Sequence, residues 1–104
     1  MTMEDCAQEL RAFLNEKGQL TSMPSKHRKK LFVYYYIGTK VEPGRRYTES
    51  ELNDLIDEWG LFHDAATVRR EMYNFGLLNR ERDGSVYWKE TDIPPLEAFV
   101  ASHI

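Results

Sequence analysis

One face of the segment from residue 64 to residue 75 carries side chains that can read the edges of DNA bases. With Val68 on the buried side of a helix, six residues lie on the outward face or flank it: Ala66, Thr67, Arg69, Arg70, Tyr73 and Asn74. An arginine guanidinium matches the acceptors of a guanine edge, and a threonine hydroxyl can contact a base or a phosphate. The pattern therefore predicts a recognition helix that lies in the major groove. The alternative is a solvated face whose arginines pair with acids such as Asp57 or Glu71.

Two other groups of cations are placed to contact phosphates. The first is the basic run KHRKK over residues 26–30, and the second comprises Arg45, Arg46, Arg80, Arg82 and Lys89. The alternative role of the first group is to keep a helix start soluble, although cations there oppose the helix macrodipole. The alternative for the three hairpin cations of the second group is ordinary surface. The alternative for its two other arginines is to flank an edge strand and discourage aggregation. The predicted DNA contacts are Lys26, Arg28, Lys29, Lys30, Arg46, Thr67, Arg69, Arg70, Tyr73, Arg80, Arg82 and Lys89.

The helix that carries the outward face has a marked start and end. Asp64 is predicted to cap it by accepting from backbone N–H groups two or three residues on. Gly76 is predicted to end it in the left-handed conformation. Its apolar stripe comprises Ala65, Val68, Met72 and Phe75. Beyond the glycine, runs over residues 77–81 and 86–89 flank Arg82-Asp83-Gly84-Ser85, and Asp-Gly between such runs indicates a tight hairpin.

A second helix is predicted immediately upstream, over residues 49–59. Thr48 and Glu51 form its capping box, and Tyr47 with Leu52 forms the accompanying hydrophobic staple. Its apolar stripe comprises Leu52, Leu55, Ile56 and Trp59. Before it, Pro43-Gly44 indicates a turn that leads into a short extended piece.

Two further helices are predicted in the first third of the chain. An amphipathic helix over residues 3–16, ended by Gly18, follows from the spacing of Met3, Cys6, Ala7, Leu10, Phe13 and Leu14. After a connector, Ser25 is predicted to cap a helix that runs to residue 37. The apolar run LFVYYYI over residues 31–37 has the composition of a strand. Because residues 25–37 are long for a strand and Gly38 can end a helix, we interpret the segment as a helix buried on most sides.

The order of these elements predicts the fold class. Pro94 and Pro95 suit the first turn of a last helix, whose apolar face comprises Leu96, Phe99 and Val100. The result is an α+β winged helix-turn-helix: a three-helix core plus a small antiparallel β-ribbon, with extra N- and C-terminal helices. We expect one domain over residues 1–104, with the N-terminal helix and connector in 1–24, the winged-helix core in 25–90 and the C-terminal helix in 91–104.

A series of short motifs extends over roughly two thirds of the chain. They are Pro24-Ser25-Lys26 with its basic run, Arg46-Tyr47-Thr48-Glu49, Glu51-Leu52-Asn53, Arg69-Arg70-Glu71, Gly76-Leu77-Leu78 with Arg80, and Asp83-Gly84 with Tyr87-Trp88. In these motifs and their order the sequence resembles an uncharacterised bacterial domain family whose members occur alone or attached to helix-turn-helix transcription regulators. The resemblance implies a winged-helix-like fold in a regulatory setting, and it implies no catalytic residue.

Composition restricts the class of protein. The chain has 104 residues, 41% of them hydrophobic, which favours a small globular domain over a disordered segment. The single cysteine, Cys6, allows neither an intramolecular disulfide nor a thiolate metal cluster. The longest apolar run, residues 31–37, is too short to span a bilayer. No signal peptide is visible, so we expect a cytoplasmic protein with no membrane partner.

The formal net charge of −3 is unevenly distributed along the chain. Residues 26–89 hold 12 Lys or Arg against 10 Asp or Glu, whereas the flanks hold 2 basic and 7 acidic residues. The middle of the chain is therefore the part that can face a nucleic acid. Its excess of two positive charges is small for a DNA-binding domain.

The sequence contains no assembled set of catalytic groups. Its histidines, His27, His63 and His103, are far apart and lack metal-ligand spacing with the acids. There is no glycine-rich phosphate loop and no serine or cysteine in a nucleophile context. We expect a protein that is not an enzyme and that needs no metal or cofactor.

These features predict a bacterial transcription-regulator domain that binds DNA sequence-specifically through the 64–75 helix and the 80–89 wing. The alternative is a winged-helix module for protein–protein interaction or dimerisation without DNA binding, which the net acidity favours. Operator-binding winged helices commonly act as dimers. We expect a homodimer through the apolar face of one or both terminal helices, Cys6-Leu10-Phe13 and Leu96-Phe99-Val100. The alternative is that these faces cover the core of their own domain.

Overall fold

Helices and short strands alternate along residues 2–104, the part of the chain that the computed structural model describes. The helices are α1 (Met3–Glu9), a short 3₁₀ helix (Arg11–Phe13), α2 (His27–Gly38), α3 (Glu49–Trp59), α4 (Ala65–Asn74) and α5 (Leu96–His103). The strands are β1 (Arg46–Thr48), β2 (Leu78–Arg80) and β3 (Val86–Lys89). The fold is therefore α+β, and the order of its elements is the predicted one.

Helix α2 lies at the centre of the core. Leu31, Phe32, Val33 and Ile37 are fully buried, and Tyr34 and Tyr36 are nearly so. Helices α1, α4 and α5 all pack against it. This confirms that the apolar run is a helix buried on most sides: a helix enclosed by other helices is apolar all round, so its composition resembles that of a strand.

The three strands form one antiparallel sheet in the order β1–β3–β2. Tyr47 of β1 lies opposite Tyr87 of β3, and Leu78 of β2 lies opposite Lys89. The short extended piece after the Pro43-Gly44 turn is thus a third strand beside the hairpin. The arrangement is compatible with the predicted winged helix.

Local signals at two helix ends behave as predicted. Thr48 and Glu51 form the capping box of α3, since each side chain accepts from the backbone N–H of the other residue. Gly76 has φ +79°, and the N–H groups of Gly76 and Leu77 donate to the carbonyls of Tyr73 and Met72. These paired bonds close α4 and turn the chain directly into the hairpin.

The predicted helix over residues 3–16 is wrong beyond its first two turns. Helix α1 ends at Glu9, and Leu14 instead pairs with Leu20 in an antiparallel bridge. The backbone N–H of Leu20 in turn donates to the carbonyl of Trp59 at 2.8 Å. The chain therefore doubles back and joins the end of α3, and these partners take the place of the hydrogen bonds within a continued helix.

Two predicted caps are also absent. Asp64 occupies the cap position of α4, but its backbone (φ −132°, ψ 52°) is outside the extended region usual there, and its side chain accepts no capping hydrogen bond. Ser25 does not cap α2, because the helix begins one residue later and Lys26 takes the cap position.

The apolar faces of the terminal helices are covered by their own chain. Cys6 and Leu10 of the N-terminal segment are fully buried, and Leu96, Phe99 and Val100 of α5 are at most 4% exposed. These faces are therefore not available for the expected homodimer, and that part of the expectation is corrected. Burial also raises the pKa of the Cys6 thiol to about 12. None of the helices in residues 2–104 has the length and apolar composition needed to cross a membrane.

Met72 provides a test of the helix phase. Its side chain is fully buried, so Met72→Ala should lower the free energy of unfolding by roughly 2 to 5 kcal/mol. Met3 is 39% exposed on α1, and the matched change Met3→Ala should alter the free energy of unfolding by no more than about 0.5 kcal/mol relative to the wild type. Urea denaturation followed by tryptophan fluorescence measures both variants. Equal losses would mean that Met72 is not a core residue.

Candidate nucleic-acid interface

The outward face of α4 and the hairpin enclose a groove of about 430 Å³. It is lined by Ala66, Arg69, Arg70, Tyr73, Asn74, Arg80 and Tyr87. The structure thus brings together five of the six residues predicted on or beside this face and adds Arg80 from β2. Thr67 is half-buried and does not line the groove.

The most exposed cation in the groove is Arg70. Its side chain is 65% exposed, and the nearest acid, Glu71, lies 3.9 Å from its Nε. An exposed pair at that distance holds the arginine weakly. Arg70 is therefore available to a ligand.

Arg80 is positioned from the opposite side of the groove. Its guanidinium lies 4.7 Å from the centre of the Tyr73 ring, which attaches the hairpin to the outward face of α4. A guanidinium stacked on one ring face keeps its edge N–H groups free to donate. The pair with Tyr73 was not foreseen, because the two residues belong to different predicted elements.

Arg69 has a different role from its neighbour. Its side chain is only 13% exposed and forms a 3.0 Å ion pair with Glu49. It also donates to the side-chain oxygen of Asn53 and, at 3.3 Å, to the Tyr87 hydroxyl. One guanidinium thus joins α4 to α3 and to β3. Its hydrogen bonds lie inside the protein, so it supports the groove and does not present its charge to solvent.

The tip of the hairpin is held by its own turn. Asp83 accepts from the backbone N–H and the hydroxyl of Ser85 at 3.0 and 2.6 Å, and these hydrogen bonds lower the pKa of Asp83. Gly84 supplies the positive φ of +75° that the turn requires. Arg82 is exposed at this tip, and within residues 2–104 it forms no ion pair.

The cation at the start of β1 and the one immediately before it are paired with acids and lie over aromatic rings. Arg46 forms an ion pair with Glu81 and lies 4.5 Å from the centre of the Trp88 ring. Arg45 lies 3.6 Å from carboxylate oxygens of both Glu42 and Glu51. These contacts fit the alternative interpretation of the two arginines as protection of an edge strand.

The basic run over residues 26–30 does not line the groove. Arg28 and Lys29 both bind Glu9 of α1, with N···O distances of 3.1 and 2.6 Å. Hydrogen bonds from these two cations lower the pKa of the Glu9 carboxyl to about 2. Lys26 is exposed and Lys30 half-buried, and neither forms an ion pair within the described residues.

Lys89 also lies away from the groove. It lines a separate cavity with residues of α2, on the side of the sheet that faces the core. In residues 2–104, no group of three or more His, Cys, Asp or Glu side chains is placed to hold a metal ion. His27 and His103 meet only through a 2.7 Å contact between a ring nitrogen and a backbone carbonyl.

One protein family matches this chain. It is described as "Uncharacterized protein conserved in bacteria (DUF2087)", and the match covers residues 19–89. These residues include α2, the sheet, α3, α4 and the whole groove, whereas α1 and α5 lie outside the match. Neither the curated proteins nor the solved structures contain a match.

The Glu9 ion pairs should make stability sensitive to acid. The pKa of Glu9 is lowered from 4.5 to about 2, so its contribution is complete above about pH 4.5 and is lost as the pH falls toward 2. The unfolding free energy of the wild type should therefore fall between pH 6 and pH 3, and this fall should be smaller in Glu9→Gln. Glu16→Gln, at an exposed position, is the matched control and should follow the wild type. An unchanged pH profile in Glu9→Gln would refute the pairing.

Adjacent arginines on α4 allow a matched test of their two roles. Arg69→Met removes the hydrogen bonds to Asn53 and Tyr87 and should cost roughly 1 to 3 kcal/mol of unfolding free energy. Arg70→Met makes the same change at the next residue, and its unfolding free energy should stay within about 0.5 kcal/mol of the wild-type value. Thermal and urea denaturation measure both. Equal stability of the two variants would contradict the supporting role of Arg69.

Proposed function

The chain belongs to the conserved bacterial family that matches residues 19–89, and we propose that it is a winged-helix transcription-regulator domain that binds DNA through α4 and the hairpin. In this assignment α2, α3 and α4 are the three-helix core, α4 is the recognition helix, and β2–β3 is the wing. The regulatory setting rests on the resemblance to domains that occur alone or attached to helix-turn-helix regulators.

The observation that carries this proposal is the charge of the groove. Three of its seven lining residues are arginines, and none of the seven is an acid. Arg69 is paired with Glu49, whereas within residues 2–104 Arg70 and Arg80 are not held by a close ion pair. A concave surface lined by one sign of charge concentrates ligands of the opposite sign. The groove runs between a helix and an adjacent hairpin, which is how winged helices meet the major groove and the neighbouring phosphates.

Each arginine of the groove and the hairpin tip has a separate role in this proposal. Arg70, on the outward face of α4, reads a base edge in the major groove. Arg80, stacked on Tyr73, donates to a phosphate beside that groove. Arg82 at the hairpin tip contacts the next phosphate along the backbone. Arg69 is a positioning residue, since its contacts hold α4 against α3 and β3.

A protein-interaction module is the second candidate, because several predicted phosphate-binding cations are neutralised within the chain. Glu9 binds both Arg28 and Lys29, and Glu81 binds Arg46. A surface on which acids alternate with bases suits a protein partner better than a polyanion. The two candidates differ in whether duplex DNA binds in a salt-dependent manner.

DNA binding should depend on the groove arginines in two distinct ways. In anisotropy titrations with a duplex obtained by selection from a random pool, Arg80→Met and Arg82→Met should weaken binding to every sequence and each reduce the salt slope by about 1. Arg70→Met should lose discrimination at one base position, worth roughly 1 to 3 kcal/mol. Lys17→Met removes a charge from an exposed turn outside the groove and is the matched control.

One result would overturn the DNA proposal, and a second would overturn only the reading role of Arg70. The first is no saturable binding to any duplex at about 50 mM salt, where phosphate contacts are strongest in practice. The second is an Arg70→Met variant with unchanged sequence preference, which would remove Arg70 from the reading role. The first result would leave the protein-interaction module as the better candidate.

A further inference from the structure

A second cavity lies between the carboxyl end of α2 and the base of the hairpin. Its volume is about 200 Å³, and it is lined by Tyr35, Gly38, Thr39, Leu77, Lys89 and Ile93. Since a water molecule occupies about 30 Å³ of liquid, the space corresponds to a ligand of about seven non-hydrogen atoms. The walls are aromatic and aliphatic except at Thr39 and Lys89.

Lys89 brings an uncompensated charge to this cavity. Its side chain is half-buried, and within residues 2–104 no acid forms an ion pair with it. Burial lowers the pKa of Lys89. Lysines are seldom withdrawn from water without a partner, because the charged form loses hydration. An anionic ligand is the kind of partner that suits such an ammonium.

The carboxyl end of α2 does not need Lys89 as a cap. The carbonyls of residues 35 to 38 accept from the backbone N–H groups of Thr39, Lys40 and Val41, and the Thr39 hydroxyl donates to the Tyr36 carbonyl at 2.6 Å. What remains is the helix dipole, equivalent to roughly −0.5 charge at this end. The full positive charge of the ammonium exceeds it, so the cavity retains a positive potential.

We propose that this cavity binds a small aliphatic monocarboxylate, with the carboxylate on the Lys89 ammonium and the hydrocarbon chain against Tyr35, Leu77 and Ile93. A single cation and apolar walls select one negative group and disfavour a second. The Tyr35 hydroxyl already donates to the Pro94 carbonyl at 2.8 Å, so it holds the wall in place. The volume fits chains of four to six carbons.

The cavity is connected to both elements of the groove. Leu77 directly follows Gly76, which ends α4, and Lys89 is the last residue of β3. An occupant therefore contacts the segments that fix α4 and the hairpin relative to α2. Binding of the carboxylate goes beyond the proposed function and does not require that DNA be bound.

Amide NMR titration with sodium butanoate, pentanoate and hexanoate tests the proposal. The expected result is saturable shifts centred on Leu77, Lys89 and Ile93, with no such response to butylamine or to succinate at equal concentration and ionic strength. Lys89→Met, which keeps the apolar stem, should weaken binding about tenfold or more. Lys17→Met, the same change at an exposed turn, should leave the affinity unchanged.

Ile93→Trp is a second variant, designed to fill the cavity while Lys89 remains. It should abolish the shifts and keep the amide spectrum of the folded protein. The proposal is overturned by unsaturable or scattered shifts, by equal binding of butylamine, or by wild-type affinity in Lys89→Met. DNA titrations of the same samples are independent of all these outcomes, so the two proposals fail separately.

Discussion

Helix α2 has almost no side exposed to solvent. The other helices are placed where they are because they must cover its apolar surface. Leu31, Phe32 and Val33 are consecutive and fully buried, so contacts are needed on three sides of the helix axis. Helix α4 supplies one of them through Phe75, whose ring stacks on Tyr34 with centroids 5.8 Å apart. The same ring meets Phe99 of α5 edge-on at 6.5 Å. The outward face of α4 is thus set by what its inward face must cover.

The second constraint is the set of contacts that Arg69 makes across three elements. Arg69 of α4 and Tyr87 of β3 are 18 residues apart in sequence, yet the Arg69 guanidinium donates to the Tyr87 hydroxyl. The same guanidinium also binds Asn53 and Glu49 of α3. Because these partners satisfy it, Arg69 does not compete for a ligand. The neighbouring Arg70 points away from them and is exposed. The groove therefore depends on Arg69, which is enclosed by its partners, and on other arginines such as Arg70, which are not enclosed.

Some features encoded within a few residues could be predicted from the sequence, although the equally local caps at Ser25 and Asp64 are absent, and features decided by distant partners could not be predicted. The Thr48–Glu51 box and the Gly76 turn were found because each needs only adjacent residues. Leu14 fits a helix that continues from Leu10, but its pairing with Leu20 depends on the end of α3, about forty residues later. Likewise, the sequence alone does not distinguish the roles of Arg69 and Arg70, because these roles depend on partners in other elements.

Net charge is a poor guide to this surface, because the acids are not distributed at random among the bases. Glu9 binds Arg28 and Lys29. Glu49 binds Arg69, and Glu81 binds Arg46. Closely paired charges of opposite sign largely cancel at a distance. In the groove and at the hairpin tip, the cations left for a polyanion are Arg70, Arg80 and Arg82. In the proposed assignment Arg80 and Arg82 contact phosphates, and two such contacts give a logarithmic salt slope of only about −1.8, so we expect this domain alone to bind DNA weakly. Selective binding then requires that a second DNA-binding unit act on the same duplex, which raises the effective concentration of the first.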